Sequence, residues 1–204
     1  MLRTQQATLF EEELKWLEKV IRTRKSFGST FDMRNFTIEA FKAVYDSKNE
    51  YIKLDIPEKE KKKFDVTMPA LDLNNHYHRL VEHYSWAERL LLILSIANDL
   101  RPFYFNSIIS DAKSYYGYSS YNFEEKAGLV ERNDFGIVPT AQFFIYLIAG
   151  EELAIRLELI KAIAEESLLP IKNKLVEISE GSFHQPIYSG MFWMNKQNFI
   201  NIIC

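Results

Sequence analysis

Cysteine is nearly absent. The single one is Cys204, the last residue. No disulfide framework can form within the chain, which suits a reducing compartment and makes the cytoplasm the expected location. Seven glycines and six prolines in 204 residues argue for helices rather than a turn-rich β-sandwich. No apolar run reaches the ~20 residues of a membrane span, and the opening MLRTQQATLFEEELKW lacks an apolar signal region. No membrane association is therefore expected. A net charge of −3 gives no general attraction to phosphate backbones. The motifs of nucleotide and hydrolytic chemistry are missing as well. There is no GxxxxGK(S/T) loop, no GxGxxG, no GxSxG elbow and no HExxH. The residues alone offer no catalytic or metal constellation, so neither an enzyme nor a cofactor is expected.

What the chain has in quantity is apolar side chains. They make up 47% of the residues, with 15 Phe and 11 Tyr. A chain of this length buries roughly 70% of its unfolded surface. The stretch that organises it is Ser85–Leu100, SWAERLLLILSIANDL. Ser85 and Glu88 have the spacing of a capping box. Leu90 to Ala97 is apolar almost all round, as in a helix buried on most sides. Asn98 and Asp99 break the run, and Pro102 cannot continue the helix.

Phe10, Leu14, Leu17 and Ile21 form a helical stripe over about residues 5–24. Acids early and Arg22, Arg24 and Lys25 late suit that helix's own dipole. A second short helix is predicted from near Thr37, with Ile38 and Phe41 on one side. YIKLDI, 51–56, alternates weakly like a short strand. PEKEKKKFD then reads as solvated linker, because mixed charge attracts no partner strongly. His76 and His78 would not share a helix face, and a His78–Glu82 pair lacks a third ligand at zinc spacing, so His76, His78 and His83 read as exposed histidines before the core helix. After Pro102, FYFNSIISDAKSYY predicts a helix carrying Phe103, Ile108, Ile109 and Ala112. Gly128–Glu131 and Gly136–Val138 read as strands around a turn. Thr140 caps a helix that stops at Gly150. The next helix places Leu153, Leu157, Ile160 and Ala164 on its core stripe, and Pro170 limits it. The pairs Glu151–Glu152 and Glu165–Glu166 read as solvated helix ends.

The expected fold is mainly α with a small β-hairpin, a winged-helix-like domain with additional N-terminal helices. It divides into an N-terminal helical segment (1–45), a charged linker (46–70), the winged-helix-like helical domain (71–180) and a C-terminal tail (181–204), which reads as extended or irregular.

SWAERLLLILSIANDLRPFYF, GIVPTAQFFIYLIAGEELAIRLELI and PIYSGMFW together resemble the N-terminal region of AAA-family ATPases encoded with phage-tail-like contractile injection systems. The matching positions are Ser85, Glu88 and Arg89; Leu100, Arg101 and Pro102; Gly136, Pro139 and Thr140; Leu147, Ala149, Gly150, Glu151, Glu152 and Leu153; and Pro186, Ser189 and Gly190. The likeness covers about residues 80–204 and implies a winged-helix-like fold. The ATPase module of that family would lie beyond the C-terminus, with its Walker residues. The chain is then either a truncated piece or a free-standing accessory domain, with nothing catalytic carried over.

The resemblance implies a non-catalytic accessory domain that docks onto a protein partner, the ATPase ring or a component of the injection apparatus. The apolar tail supplies the candidate contacts Phe192, Trp193, Phe199 and Ile200, which are expected to dock on the chain's own core. The alternative is a winged-helix DNA-binding regulator. It needs a basic recognition helix and a basic wing, and the segments concerned offer only Lys113 and Arg132. Nucleic acid is accordingly not the expected partner.

Overall fold

The N-terminal stripe folds into a longer helix than its periodicity predicts, α1 at Leu2–Phe27. The computed structural model describes residues 2–27, 32–37, 64–111, 127–132, 136–179 and 190–203. The helix expected from Thr37 and the strand at 51–56 fall outside the described residues, apart from Thr37 itself. A 3₁₀ turn at Met33–Asn35 precedes them, capped by the Asp32 carboxylate.

The central helix, α3 at Trp86–Leu100, starts on the predicted capping box, after a short α2 at His76–Leu80. The Ser85 hydroxyl accepts the Glu88 N–H at 3.3 Å, and the Ser85 N–H donates to Glu88 Oε2 at 2.8 Å. Asn98 does not break this helix. Its side-chain amide leaves the helix surface and donates to the Ile137 carbonyl at 2.9 Å, so a polar residue is accommodated at a tertiary contact. The next helix, α4, spans Tyr104–Asp111. Phe103, expected within this helix, precedes it in a left-handed conformation (φ 58°) and is 51% exposed.

The predicted hairpin forms from β1 (Val130–Arg132) and β2 (Gly136–Val138), antiparallel with Val130 opposite Val138. Its outer edge is closed by two asparagines. The Ile137 N–H donates to Asn106 Oδ1 at 2.9 Å, while its carbonyl takes the Asn98 amide. Gly136 is required at the strand entry. Its φ is 68°, and a Cβ there would stand 2.7 Å from Phe103 Cδ1.

Thr140 caps α5 (Ala141–Ala149) by accepting the Phe143 N–H at 3.0 Å, and Gly150 ends it with φ 56°. Helix α6 follows at Leu153–Ala164. Its predicted core stripe is corrected: Leu159 and Ile163 are buried, whereas Leu153 and Leu157 are 66% and 57% exposed. The sequence LAIRLELIKAIA is apolar on two sides, and the side that carries Leu159 faces the core. Pro170 sits within the first turn of α7 (Leu169–Lys172).

The described part of the tail, 190–203, carries a strand and a helix rather than irregular chain. β4 (Phe192–Trp193) pairs antiparallel with β3 (Glu177–Ile178), and α8 spans Lys196–Ile203 against α2. The described protein is therefore mainly helical with two small antiparallel sheets, and none of its described helices is long and apolar enough to cross a membrane.

One buried cluster joins Leu14, Leu17 and Ile21 of α1 to Leu90–Leu94 of α3 and Phe143–Ala149 of α5. The N-terminal helix thus shares the core of the 71–180 region. The expectation of solvated linker up to residue 70 is corrected at its end. Phe64 and Val66 are buried, and the indole N–H groups of Trp16 and Trp86 both donate to the Val66 carbonyl, at 2.8 and 3.2 Å.

Candidate functional site

A group of ionisable side chains lies inside the protein, where α1, α2 and α3 meet. Phe10, Leu14, Leu17 and Ile21 set the buried face of α1, and Glu13 falls on that same face. It is fully buried. Arg89, one turn into α3, meets it with Nε at 3.1 and 3.3 Å from the two carboxylate oxygens and with Nη2 on Oε1. The remaining Arg89 nitrogen, Nη1, donates to the Pro69 carbonyl at 2.9 Å, and the guanidinium stands 5.9 Å from the centre of the Trp16 ring. One charge pair thereby ties two helices and the 64–69 segment together.

Two further groups border the pair. His78, expected to be exposed, is buried. Its Nδ1 accepts the Asp72 N–H at 2.6 Å and its Nε2 lies 4.0 Å from Glu13 Oε1. Burial, with Arg89 second, holds its imidazole below the ordinary histidine value, so it is neutral near pH 7. Since Nδ1 is an acceptor, the neutral ring carries its proton on Nε2, towards Glu13. The Tyr77 hydroxyl lies against the Glu13–Arg89 pair without closing a hydrogen bond of normal geometry. Burial pushes its pKa well up, with Glu13 adding to the effect. His–Glu–Arg–Tyr is a set that acid–base chemistry uses, yet each of the four side chains is buried. A general acid or base must reach the proton it moves. The chemistry open to this cluster is proton binding and the fixing of helices to one another.

The basic end of α1 is a second internal device. Arg24 and Lys25 were expected to serve the dipole of their own helix. Instead Arg24 donates to the carbonyls of Leu147 and Ile148, at 3.0 and 2.6 Å, at the end of α5. Lys25 donates to the Ile109 carbonyl near the end of α4. Cations at helix C-termini are favoured by the dipole, and here α1 caps two neighbours. Burial brings the Arg24 guanidinium down to about 10, leaving it charged at neutral pH.

The motif residues also turn inward. Glu88 completes its capping box with Oε2 and uses Oε1 to accept the Leu169 N–H of α7 at 2.8 Å. Thr140 donates to the Gly128 carbonyl at 2.9 Å while capping α5. Met191 bridges Thr140, and Gly190 packs so closely on the Ser179 carbonyl that a Cβ would collide with it and with Ile178 Cγ2, at 2.6 Å. The Ala141 N–H closes the junction on the Gly190 carbonyl at 2.9 Å. The second and third matched segments thus meet in space. Arg101 forms an exposed pair with Glu11 at 2.6 Å. Pro186 and Ser189 lie outside the described residues.

The four tail contacts separate into two kinds. Phe192 is 3% exposed and meets Phe144 edge to face at 5.9 Å, and Phe199 is half-buried against the core. Trp193 and Ile200 are 45% and 37% exposed. Part of the tail therefore docks on the protein's own core, as expected, and part faces outward. Lys113 and the Arg132 side chain fall outside the described residues. Among the described residues, no three His, Cys, Asp or Glu groups stand close enough to hold a metal ion.

Sequence reading missed Glu13, His78 and Arg24. Positions 10, 13, 14, 17, 20, 21 and 24 form one helical face, so the heptad spacing alone marks Glu13 and Arg24 as inward. Compared with known proteins, the chain matches no family model, no curated protein and no solved structure.

Proposed function

We propose that this chain is a non-catalytic accessory domain of a AAA-family ATPase belonging to a contractile injection system, and that it docks onto a protein partner. The observation that carries the docking is the outward pair Leu153 and Leu157, one turn apart on α6 and more than half exposed. Leucines placed so on a helix suit the groove of a partner protein. Leu153 is also one of the positions that match those ATPases, within the segment from Gly136 to Ile160. The buried charges Glu13, Arg24, Lys25 and Arg89 each end on a partner inside the fold, which supports a scaffold rather than a reacting centre. The ATPase identity rests on the motif resemblance.

The test is co-purification with a AAA-family ATPase of a contractile injection system, comparing the native protein with Leu153→Ser/Leu157→Ser. The native chain should be retained, and the variant should lose retention while keeping its melting temperature. Equal retention of both removes α6 from the interface. Calorimetric titration with ATP and Mg²⁺ should give no heat of binding, and a saturable micromolar isotherm would overturn the non-catalytic reading.

A further inference from the structure

The turn before α2 is held by hydrogen bonds rather than by burial. Leu71 and Leu73, on either side of Asp72, are exposed. The Asp72 carbonyl accepts the Asn75 N–H at 2.9 Å, and its carboxylate accepts the Asn74 N–H at 3.0 Å. Asn75 in turn caps α2, accepting the N–H groups of Tyr77 at 2.8 Å and His78 at 3.4 Å. The one tie from this turn to a buried side chain among these bonds is the Asp72 N–H on His78 Nδ1. Helix α2 has five residues, far fewer than an isolated helix needs to persist. It depends on this turn, and α8 packs on it.

We propose that His78 is an acid-operated latch: a proton on Nδ1 releases the 72–75 turn and loosens α2 together with the C-terminal helix α8. The neutral ring already carries hydrogen on Nε2, so a proton taken from solvent binds the Nδ1 lone pair. Nδ1–H then points at the Asp72 N–H. Two donors face each other, and the bond is lost. The groups facing the imidazole are Glu13 from α1, Arg89 from α3, Asp72 from the turn and Tyr77 from its own helix. Glu13 and the Asp72 carboxylate attract the new cation, while Arg89, which already engages Glu13, repels it.

The direction of the response follows. The latched imidazole lies below the ordinary value and the released one returns to about 6.5. The released state therefore binds more protons below that value. Latching is fully favoured above about pH 6.5 and is lost as pH falls through the latched value.

The experiment is a nitrogen-resolved NMR titration of the full chain from about pH 7.5 to about pH 5, with amide exchange corrected for its intrinsic pH dependence. His78→Asn serves as the partner variant, since asparagine keeps an acceptor near the Nδ1 position and does not titrate. In the native chain the Asp72 amide should shift together with the His78 ring. Protection across 72–80 and 196–203 should fall by up to about tenfold per pH unit through the transition. In His78→Asn both responses should vanish. The latch is overturned if the ring titrates while the Asp72 amide stays still, if protection is unchanged, or if the variant loses protection with acid as the native chain does. Should the variant not fold, the coupling of ring and amide in the native chain decides.

Discussion

Replacing Glu13 with leucine strands the Arg89 guanidinium in the core. The carboxylate it loses accepts from both Nε and Nη2 and is itself fully buried. Breaking a buried pair by removing one partner costs about 3–5 kcal/mol, mostly because a charge is left uncompensated. Arg89 would keep the Pro69 carbonyl and the face of Trp16, so the lower half of that range is expected. The double change Glu13→Leu/Arg89→Met removes both charges and fills the space with apolar atoms. It forfeits the hydrogen bond to Pro69, worth about 1 kcal/mol. It also removes two desolvation penalties, so the double variant should be more stable than Glu13→Leu alone. The coupling between the two sites should reach about 2–3 kcal/mol. Urea unfolding read by tryptophan fluorescence suits the measurement. Trp16 and Trp86 stand edge to face at 5.4 Å, and both are bonded to Val66 beside the pair. A Glu13→Leu loss under about 1 kcal/mol, or no coupling, would refute the reasoning, because Arg89 would then be reaching water or another acceptor.

Arg24→Met should lower stability by about 2–4 kcal/mol, since two buried carbonyls at the end of α5 lose their donor. For a chain of this size that is a melting-temperature drop of roughly 4–16 °C. Arg24→Lys should fall between, because one ammonium cannot reproduce the fork. Gly190→Ala should cost about 1–3 kcal/mol as the added Cβ forces the 190–192 segment off the Ser179 carbonyl. Faster exchange of the Ala141 amide, which donates to the Gly190 carbonyl, would locate the damage, and native-like exchange would contradict it.

The parts of the fold readable from sequence are those whose signal is local. The Ser85–Glu88 box, the Thr140 cap, the Gly150 stop and the hairpin all rest on residues within a few positions of one another, and each stands where it was expected except the first hairpin strand, which begins at Val130 and takes in Arg132. What escaped depends on contacts far along the chain. Asn98 reads only as a break in the apolar run until Ile137, 39 residues away, supplies its partner. Arg24 suits its own helix's dipole equally well, and only the approach of α5, 123 residues on, reassigns it. Helix α6 presents two apolar sides. Periodicity proposes both, and only the neighbouring core selects the one carrying Leu159. His78 follows the same rule, since its burial depends on Glu13 and Arg89 arriving from two other helices.

Four of the motif residues are consumed by the fold. Glu88 joins α3 to α7, Arg89 joins α3 to α1, Thr140 joins α5 to Gly128, and Gly190 sets the spacing of the tail against Ser179. Each side chain, or its absence at Gly190, is accounted for by an internal contact. Such residues would be needed by any chain adopting this arrangement, whatever it bound, so likeness at these positions speaks first to architecture. Binding specificity has to reside in side chains that the fold does not consume. Among the described residues of the matched segments, α6 and the tail, the large outward apolar groups are Phe103, Leu153, Leu157, Trp193 and Ile200. Polar substitutions there should leave the urea midpoint in place while altering partner retention. Changes at Glu88, Arg89 or Gly190 should lower both together, because they act through the fold.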